Sequence, residues 1–246
     1  IPILIDVLRR LEYRGYDSAG IAIIDKDKVS VFKCEGRVEN LERRLSDFSG
    51  FGTLGIGHTR WATHGAPTES NAHPHRVGSV VLVHNGIIEN YLEHKDHILS
   101  LGRKIASETD SEIVAHLFDM ELENGKTLEA ALVHVLPKLR GSYAFLIMTD
   151  REPNKIVGVR NGAPLLVGVG NGENFIASDV HAILQRTRDI IYLDDHQYAI
   201  CERDSFPRVK GIDGSIVKIP IKKILWDAEE MDKSGYRHYM LKEIHE

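Results

Sequence analysis

The sequence predicts an α+β protein in which helices cover mostly antiparallel sheets in a layered sandwich. Helical patterns occur in pairs, and many short β-rich runs surround them without the regular strand–helix alternation of a parallel α/β fold. No internal repeat and no Pro/Ser-rich linker occurs before the last fifteen residues. One domain is therefore expected, and 246 residues are enough to bury a core without disulfides.

Two helices and four strands are predicted in the first part of the chain. Leu4, Leu8 and Leu11 recur at helical spacing and predict an N-terminal helix. A second helix is predicted over 39–48, where apolar residues again lie one turn apart. β-rich runs predict strands over 19–24, 29–32, 53–57 and 79–83, the first two joined by a hairpin over 25–28.

Three helices and seven strands are predicted in the remainder. A helix over 89–101 is followed by one that starts at the capping-box pattern of Thr109 and Glu112. A third helix covers 127–139, and Pro137 is expected to bend its last turn. The strands are predicted over 143–148, 156–159, 165–169, 175–177, 190–193, 198–201 and 215–219.

Composition argues against several functional classes. The chain has 31 Lys and Arg against 36 Asp and Glu, so its net charge of −5 gives no general attraction for nucleic acid or an anionic membrane. No apolar run approaches the roughly 20 residues of a membrane-spanning helix. Two Cys rule out a disulfide framework, and no signal peptide is recognisable, so a cytoplasmic protein is predicted.

Neither a metal nor a cofactor is expected. The 13 His include the pair in His73-Pro74-His75, but no His-Glu-x-x-His or Cys-x-x-Cys motif accompanies it. Gly168-Val169-Gly170-Asn171-Gly172 lacks the spacing of a dinucleotide-binding loop, so a glycine-rich turn is favoured. Cys34 and Cys201 lie in or beside β-rich runs and are interpreted as small buried hydrophobes.

The densest polar stretch is His58-Thr59-Arg60-Trp61-Ala62-Thr63-His64-Gly65, directly after a predicted strand. A basic residue, two hydroxyls and two imidazoles at a strand end suit an anion-binding loop, because an Arg fork holds a carboxylate through two hydrogen bonds. A polar loop anchored by a buried Trp61 explains the same residues. Composition does not choose between these two interpretations.

The stretch Val83-His84-Asn85-Gly86 also has two interpretations. Asn-Gly after a run of Val and Leu is typical of a type I′ hairpin turn, which the sequence by itself favours. The alternative is an oxyanion hole, in which the Asn85 amide and the Gly86 N–H point at one developing negative charge. Glycine suits such a site because it allows a close approach of the backbone.

Together these stretches resemble the glutaminase domain of the glucosamine-6-phosphate synthase family, whose members are class II glutamine amidotransferases. The resemblance covers essentially the whole chain. It is carried by motifs in the same order, at residues 8–20, 58–67, 71–75, 83–90, 107–112, 172–179 and 236–244. It implies a four-layer α/β/β/α sandwich of antiparallel sheets, of the N-terminal-nucleophile hydrolase type, in agreement with the α+β prediction.

The resemblance also implies a reaction. The family hydrolyses the side-chain amide of L-glutamine, and the ammonia passes to a sugar-isomerase domain of the same polypeptide, which aminates fructose 6-phosphate to glucosamine 6-phosphate. In this sequence Asn85 and Gly86 would form the oxyanion hole, and Arg14 would support the nucleophile end. The glutamine-binding residues would be Arg60, Trp61, Thr63, His64, Gly86 and Asp110.

The family nucleophile is a Cys at the mature N-terminus, on a short strand ahead of the first helix, and the printed sequence starts within that helix. Neither Cys34 nor Cys201 matches its position, so the printed chain is expected to be inactive without that Cys. An inactive glutamine-binding module is the alternative function. The expected boundaries are 1–231 for the glutaminase domain and 232–246 for a linker toward the sugar-isomerase domain, through which any homo-oligomer would form.

Overall fold

Thirteen strands in three antiparallel sheets make up most of the structure, a computed structural model that describes residues 1–25, 28–50, 52–62 and 65–225. The α-helices in these ranges are α1 (Pro2–Leu11), α2 (Val38–Arg44), α3 (Tyr91–Ser100), α4 (Asp110–Glu123) and α5 (Leu128–Val135). The strands are β1 (Ser18–Asp25), β2 (Lys28–Glu35), β3 (Leu54–Arg60), β4 (His75–Val77), β5 (Val80–Ile88), β6 (Gly141–Thr149), β7 (Lys155–Asn161), β8 (Leu166–Val169), β9 (Asn174–Ala177), β10 (Asp189–Tyr192), β11 (Gln197–Glu202), β12 (Arg208–Gly211) and β13 (Lys222–Lys223).

The largest sheet has six strands in the order β12-β11-β7-β6-β5-β4. Its longest ladder joins β5 and β6 over nine residue pairs, from Val80 opposite Thr149 to Ile88 opposite Gly141. A three-stranded sheet has the order β2-β1-β3, and a four-stranded sheet has the order β13-β10-β8-β9. Both smaller sheets therefore have an edge strand, β3 and β9, that pairs on one side within the described residues.

The sheets stack because the two faces of each strand are both apolar. On β5, Val80 and Leu82 pack toward α3, α4 and α5, whereas Val81 and Val83 pack against β1 and β3 of the three-stranded sheet. This alternation is the two-residue period of an extended strand. The helices α1 and α2 cover the outer face of the three-stranded sheet, and α1 also packs on the four-stranded sheet. The layers are therefore α/β/β/α, as the resemblance implies.

The start of α4 follows a local capping signal. The Thr109 side chain accepts a hydrogen bond from the Glu112 N–H, which places Asp110 in the first turn of α4. The Glu112 carboxylate does not return to Thr109, and instead accepts from the N–H groups of Ala106 and Ser107. The Thr109 half of the predicted capping box is thus present. The Glu112 carboxylate instead holds the loop that precedes the helix.

Several predicted boundaries differ in the structure. The helix predicted over 39–48 ends at Arg44, and the helix predicted over 127–139 changes to a 3₁₀ turn at Leu136–Lys138, where Pro137 removes a backbone donor. The strand predicted over 215–219 is wrong, because only an isolated bridge joins Ile216 to Lys210. The short strands β4, β12 and β13 were not predicted from the sequence.

No helix within the described residues is long and apolar enough to cross a membrane. The predicted linker over 232–246 lies outside the described residues.

The close approach of β1 to the His73 carbonyl gives a test of this packing. A Cβ added at Gly20 would lie 2.2 Å from the His73 carbonyl oxygen and 2.8 Å from that of Phe32. Gly20→Ala is therefore expected to lower the free energy of unfolding by about 3 kcal/mol through overpacking. Chemical denaturation monitored by circular dichroism measures this difference.

Gly102→Ala is the control for that variant. Gly102 has a φ of +75° but open space around its Cα, so its replacement by Ala costs about 1 kcal/mol for the left-handed backbone alone. Equal losses in the two variants would show that β1 and the His73 segment do not pack as closely as described.

Candidate active site

One cavity of about 500 Å³ lies between the six-stranded sheet, the edge strand β3 and α1. The predicted site residues that line it are Arg14, Arg60, Trp61, Asn85, Gly86 and Asp110. These residues come from four separate parts of the chain, so the fold brings together what the sequence keeps apart. Thr63 and His64, also predicted as glutamine-binding residues, lie outside the described residues.

Arg60 is the last residue of β3 rather than part of a loop, so the prediction that the polar stretch begins after the strand is wrong for its first three residues. The residue is buried, and its guanidinium donates to the carbonyls of Gly65 and Ala66 at 3.4 and 3.2 Å. The Asp17 N–H donates to the Arg60 carbonyl at 3.1 Å, and the Asp17 carboxylate accepts from the Ala62 N–H. Arg60 is thus fixed at the mouth of the cavity.

Trp61 is 61% exposed and rests edge-on against Tyr16, with 5.9 Å between the ring centroids. The interpretation of Trp61 as a buried loop anchor is therefore wrong. A large aromatic surface left open at the rim of a polar cavity is available to contact a ligand.

Asn85 and Gly86 lie inside β5, opposite Ala144 and Tyr143 of β6, so the favoured hairpin turn is wrong. The strand continues because its pairing with β6 outweighs the local turn preference of Asn-Gly. Gly86 has a φ of +121°, and a Cβ there would lie 2.1 Å from the Ser142 carbonyl oxygen, so the position requires glycine. Both residues are exposed to the cavity, which leaves the Asn85 amide accessible to a ligand.

Asp110 is a buried carboxylate at the first turn of α4. Its Oδ2 accepts from the Ile88 N–H at 2.8 Å, and its Oδ1 accepts from the Ser111 hydroxyl at 3.3 Å. The positive end of the helix dipole favours a negative charge at this position. The cavity is therefore lined by a fixed anion, Asp110, and by a fixed cation, Arg60, in addition to Arg14.

Arg14 follows α1 in a 3₁₀ turn, and its guanidinium forms an ion pair with Asp179 at 3.3 Å. The Tyr13 hydroxyl donates to the same carboxylate at 2.8 Å. Asp179 was not predicted as a site residue, although it lies in one of the motifs that carry the resemblance. The charge complementarity of Arg14 and Asp179 gives no local sequence signal, because 165 residues separate them.

Four imidazoles are packed together at the cavity; His58, His73 and His84 line it, and His75 lies beside them. The rings of His58 and His73 stack at 4.3 Å, and those of His73 and His75 meet edge-on at 4.7 Å. Burial lowers the pKa of His58 to about 4 and that of His75 to about 3, and it also lowers the pKa values of His73 and His84. The four rings are therefore neutral near pH 7, and the charges of the cavity are those of its Arg and Asp residues.

Neither cysteine of the chain reaches the cavity. Burial raises the pKa of the Cys201 thiol to about 12 and also raises that of Cys34. Such thiols are poor nucleophiles at neutral pH. Among the described residues, no group of three or more His, Cys, Asp and Glu side chains is arranged to hold a metal ion.

A second cavity of about 750 Å³ adjoins the first at Gly55 of β3 and Ile176 of β9. The two cavities together form a groove beneath α1 that runs between the edges of the three-stranded and four-stranded sheets. Edge strands present unpaired backbone N–H and C=O groups, which can accept another extended segment.

The buried imidazoles predict a loss of stability in acid. The unfolded chain binds protons at His near pH 6.5, whereas the folded chain leaves His58 neutral down to about pH 4. The unfolded state thus binds more protons in this window, so the free energy of unfolding falls as the pH falls, by about 1.4 kcal/mol per pH unit for each such imidazole. Denaturant titrations between pH 7 and pH 5 measure the slope.

His75→Gln is expected to reduce that slope by the share of one imidazole, since Gln is polar and does not titrate. His97→Gln, on the exposed face of α3, is the control for the substitution itself, and the slope of His75→Gln is compared with it. A slope near zero in the unsubstituted chain would contradict the neutral state of the cluster.

Known proteins resemble this chain in sequence. A family model described as a glutamine amidotransferase domain matches residues 58–185, which include the end of β3, all of β5 and all of α4. The glutamine–fructose-6-phosphate aminotransferase (isomerizing) of Clostridium tetani is 47% identical over 247 residues, which cover 100% of this chain and 40% of the relative. The corresponding protein of Methanothermobacter thermautotrophicus is 49% identical, over 100% of this chain and 41% of the relative. The chain thus spans about two-fifths of the length of these relatives.

Solved structures share the fold. The glutamine phosphoribosylpyrophosphate amidotransferase from B. subtilis, complexed with ADP and GMP, superposes with a TM-score of 0.74 at 24% identity, over 87% of this chain and 47% of that one. A structure described as the allosteric regulatory enzyme of purine biosynthesis gives 0.73 at 26% identity, over 86% of this chain and 46% of that one. The predicted fold class is confirmed. Because the family model covers more than half of its residues and its layers match those of solved amidotransferases, the chain belongs to the glutamine amidotransferase family.

Proposed function

We propose that this chain binds L-glutamine and hydrolyses its side-chain amide to glutamate and ammonia. The observation that carries the proposal is the convergence of two kinds of group in one cavity. Arg60 and Asp110 supply opposite fixed charges, and Asn85 with Gly86 supplies amide donors at the cavity wall. A binding module needs only the charges, whereas the donors suit a reaction in which an oxyanion develops.

Glutamine recognition is proposed to use both charges. The Arg60 guanidinium would hold the α-carboxylate, and the Asp110 carboxylate would hold the α-amino group, so a simple amide without this zwitterion binds poorly. Trp61 lies at the rim, where it would contact the bound ligand and gate the path of ammonia. Thr63 and His64 are proposed to complete the contacts over the substrate.

The nucleophile is proposed to be the thiol of a Cys at the mature N-terminus, on a strand that precedes Ile1 and lies in the groove between β3 and β9. Its sulfur would attack the amide carbon, and its own α-amino group would take the thiol proton and return it to the leaving ammonia. The Asn85 amide and the Gly86 N–H would stabilise the oxyanion, and water would then hydrolyse the thioester to glutamate. Arg14, held by Asp179, would support the nucleophile end.

The destination of the ammonia is inferred from the relatives. We propose that a sugar-isomerase domain of the same polypeptide uses it to aminate fructose 6-phosphate, that residues 232–246 lead to this domain, and that any homo-oligomer forms through it. A cytoplasmic location stays a prediction.

Asp110→Asn tests the amino-group contact. The Asn side chain still accepts from the Ile88 N–H but lacks the charge, so the affinity for L-glutamine is expected to fall about tenfold or more. The affinity for 4-carbamoylbutanoate, which lacks the α-amino group, is expected to stay the same. Calorimetry with both ligands measures the difference, on the chain carrying the proposed N-terminal segment with Ala in place of its Cys, so that glutamine is not consumed.

Asp96→Asn on the exposed face of α3 is the matched control. An equal loss for both ligands in Asp110→Asn would indicate a structural role and remove Asp110 from glutamine recognition.

Asn85→Ala tests the oxyanion hole. Loss of one oxyanion donor lowers kcat by about 10²–10³, whereas KM is expected to change little because the ground-state amide depends less on this donor. Glutaminase assays across glutamine concentrations measure both constants. Asn154→Ala, at an exposed position away from the cavity, is the control. An unchanged kcat in Asn85→Ala would exclude Asn85 from the oxyanion hole. If neither the unsubstituted protein nor Asn85→Ala hydrolysed glutamine, the glutamine-binding module would remain as the function.

A further inference from the structure

The His58 imidazole joins two sheets at the cavity. His58 lies on β3 of the three-stranded sheet, and its Nε2 is 2.9 Å from the Oδ1 of Asn85 on β5 of the six-stranded sheet. This is a side-chain contact across the sandwich rather than along one sheet. We propose that His58 is a positioning residue that holds the Asn85 amide with its nitrogen toward the cavity. The proposal rests on the oxyanion role proposed above for Asn85.

The orientation of the amide matters because its two ends have opposite effects. The NH₂ end donates to an oxyanion, whereas the carbonyl end would repel it. Asn85 is exposed, and a terminal amide torsion has a broad, roughly two-fold preference. A hydrogen-bond donor next to Oδ1 favours the orientation in which the NH₂ group faces the cavity. The His58 Nε2 can be that donor only if it carries the proton.

The surroundings of His58 favour this tautomer. Its Nδ1 is buried and makes no hydrogen bond of good geometry among the described residues, although the His84 backbone lies close to the ring. A proton on Nδ1 would bury an unpaired donor, which is rarer in proteins than an unpaired acceptor. A proton on Nε2 instead meets Asn85 Oδ1. The stack on His73, with an interplanar angle of 22°, fixes the plane in which this N–H points.

The charge state is also constrained. Burial is the main cause that lowers the pKa of His58 to about 4, and the charges of His84 and Arg60 act in the same direction, while hydrogen bonds with Asn85 and with the His84 backbone oppose them. The stacked His73 ring is neutral for the same reason of burial. At neutral pH the His58 ring is therefore a neutral donor and the Asn85 amide a neutral acceptor. Their hydrogen bond adds no charge beside the reacting amide of the substrate.

Two substitutions separate the donor from the shape of the ring. His58→Phe keeps an aromatic ring for the stack on His73 but lacks the donor. His58→Gln has an amide N–H₂ that can take the place of Nε2–H. We expect His58→Phe to lower kcat about tenfold or more, up to the 10²–10³ loss typical of a missing oxyanion donor, with KM nearly unchanged. His58→Gln is expected to restore most of kcat.

A double substitution tests that His58 acts through Asn85. In the Asn85→Ala background, His58→Phe is expected to have no further effect on kcat, because the amide it would position is absent. His97→Phe on the exposed face of α3 is the matched control. Equal kcat in His58→Phe and the unsubstituted protein, or additive losses in the double variant, would overturn the proposal.

Nitrogen-15 NMR of the imidazole rings reads the tautomer without any turnover. We expect the His58 Nε2 to carry the proton at pH 7, and the side-chain amide resonances of Asn85 to shift in His58→Phe but not in His97→Phe. A proton on Nδ1, or unshifted Asn85 resonances, would overturn the proposal. Absence of glutaminase activity in the unsubstituted protein would instead contradict the proposed function. The NMR result would still decide whether His58 orients Asn85.

Discussion

The stacking of the six-stranded sheet on the three-stranded sheet is the constraint on which the cavity depends. The apolar layer between them is built from alternating residues of neighbouring strands, such as Ile56 on β3 with Val81 and Val83 on β5. Two residues further along each strand, the same faces carry His58 and Asn85 instead. The polar cavity is therefore a continuation of the sandwich core. The distance between the two packed sheets sets the distance between the side chains that face each other across it.

The electrostatic character of the cavity follows from the same packing. The imidazoles next to the apolar layer lose their protons because burial disfavours the charged ring. Arg60 and Asp110 are also buried, but each is held by hydrogen bonds to the backbone that suit its charge. The result is a pair of opposite charges in a neutral, polar wall, which is the pattern that a zwitterionic amino acid requires.

Strong local signals predicted much of this structure from the sequence. The apolar spacing of α1 and the Thr109 cap of α4 needed no tertiary information. The Asn-Gly turn at residues 85–86 was wrong because nine paired residues of β6, distant in sequence, keep that segment extended. Side chains two residues apart on a strand lie on the same face, so His58 follows Ile56 on β3 and Asn85 follows Val83 on β5. This period would have placed His58 and Asn85 on facing surfaces. No such count predicts the pairing of Arg14 with Asp179, which depends on how α1 packs on the four-stranded sheet.

The burial of both cysteines has a practical consequence for dynamics. Cys34 lies in the core beneath α1 and α2, whereas Cys201 lies between the six-stranded and four-stranded sheets. Both thiols are largely buried in the folded chain, but Cys201 also lines the second cavity, whereas Cys34 lies under the outer helices. The rate at which Cys34 is alkylated, resolved by peptide mapping, would therefore time the opening of the outer helical layer, and the rate at Cys201 would report how readily a reagent enters the second cavity.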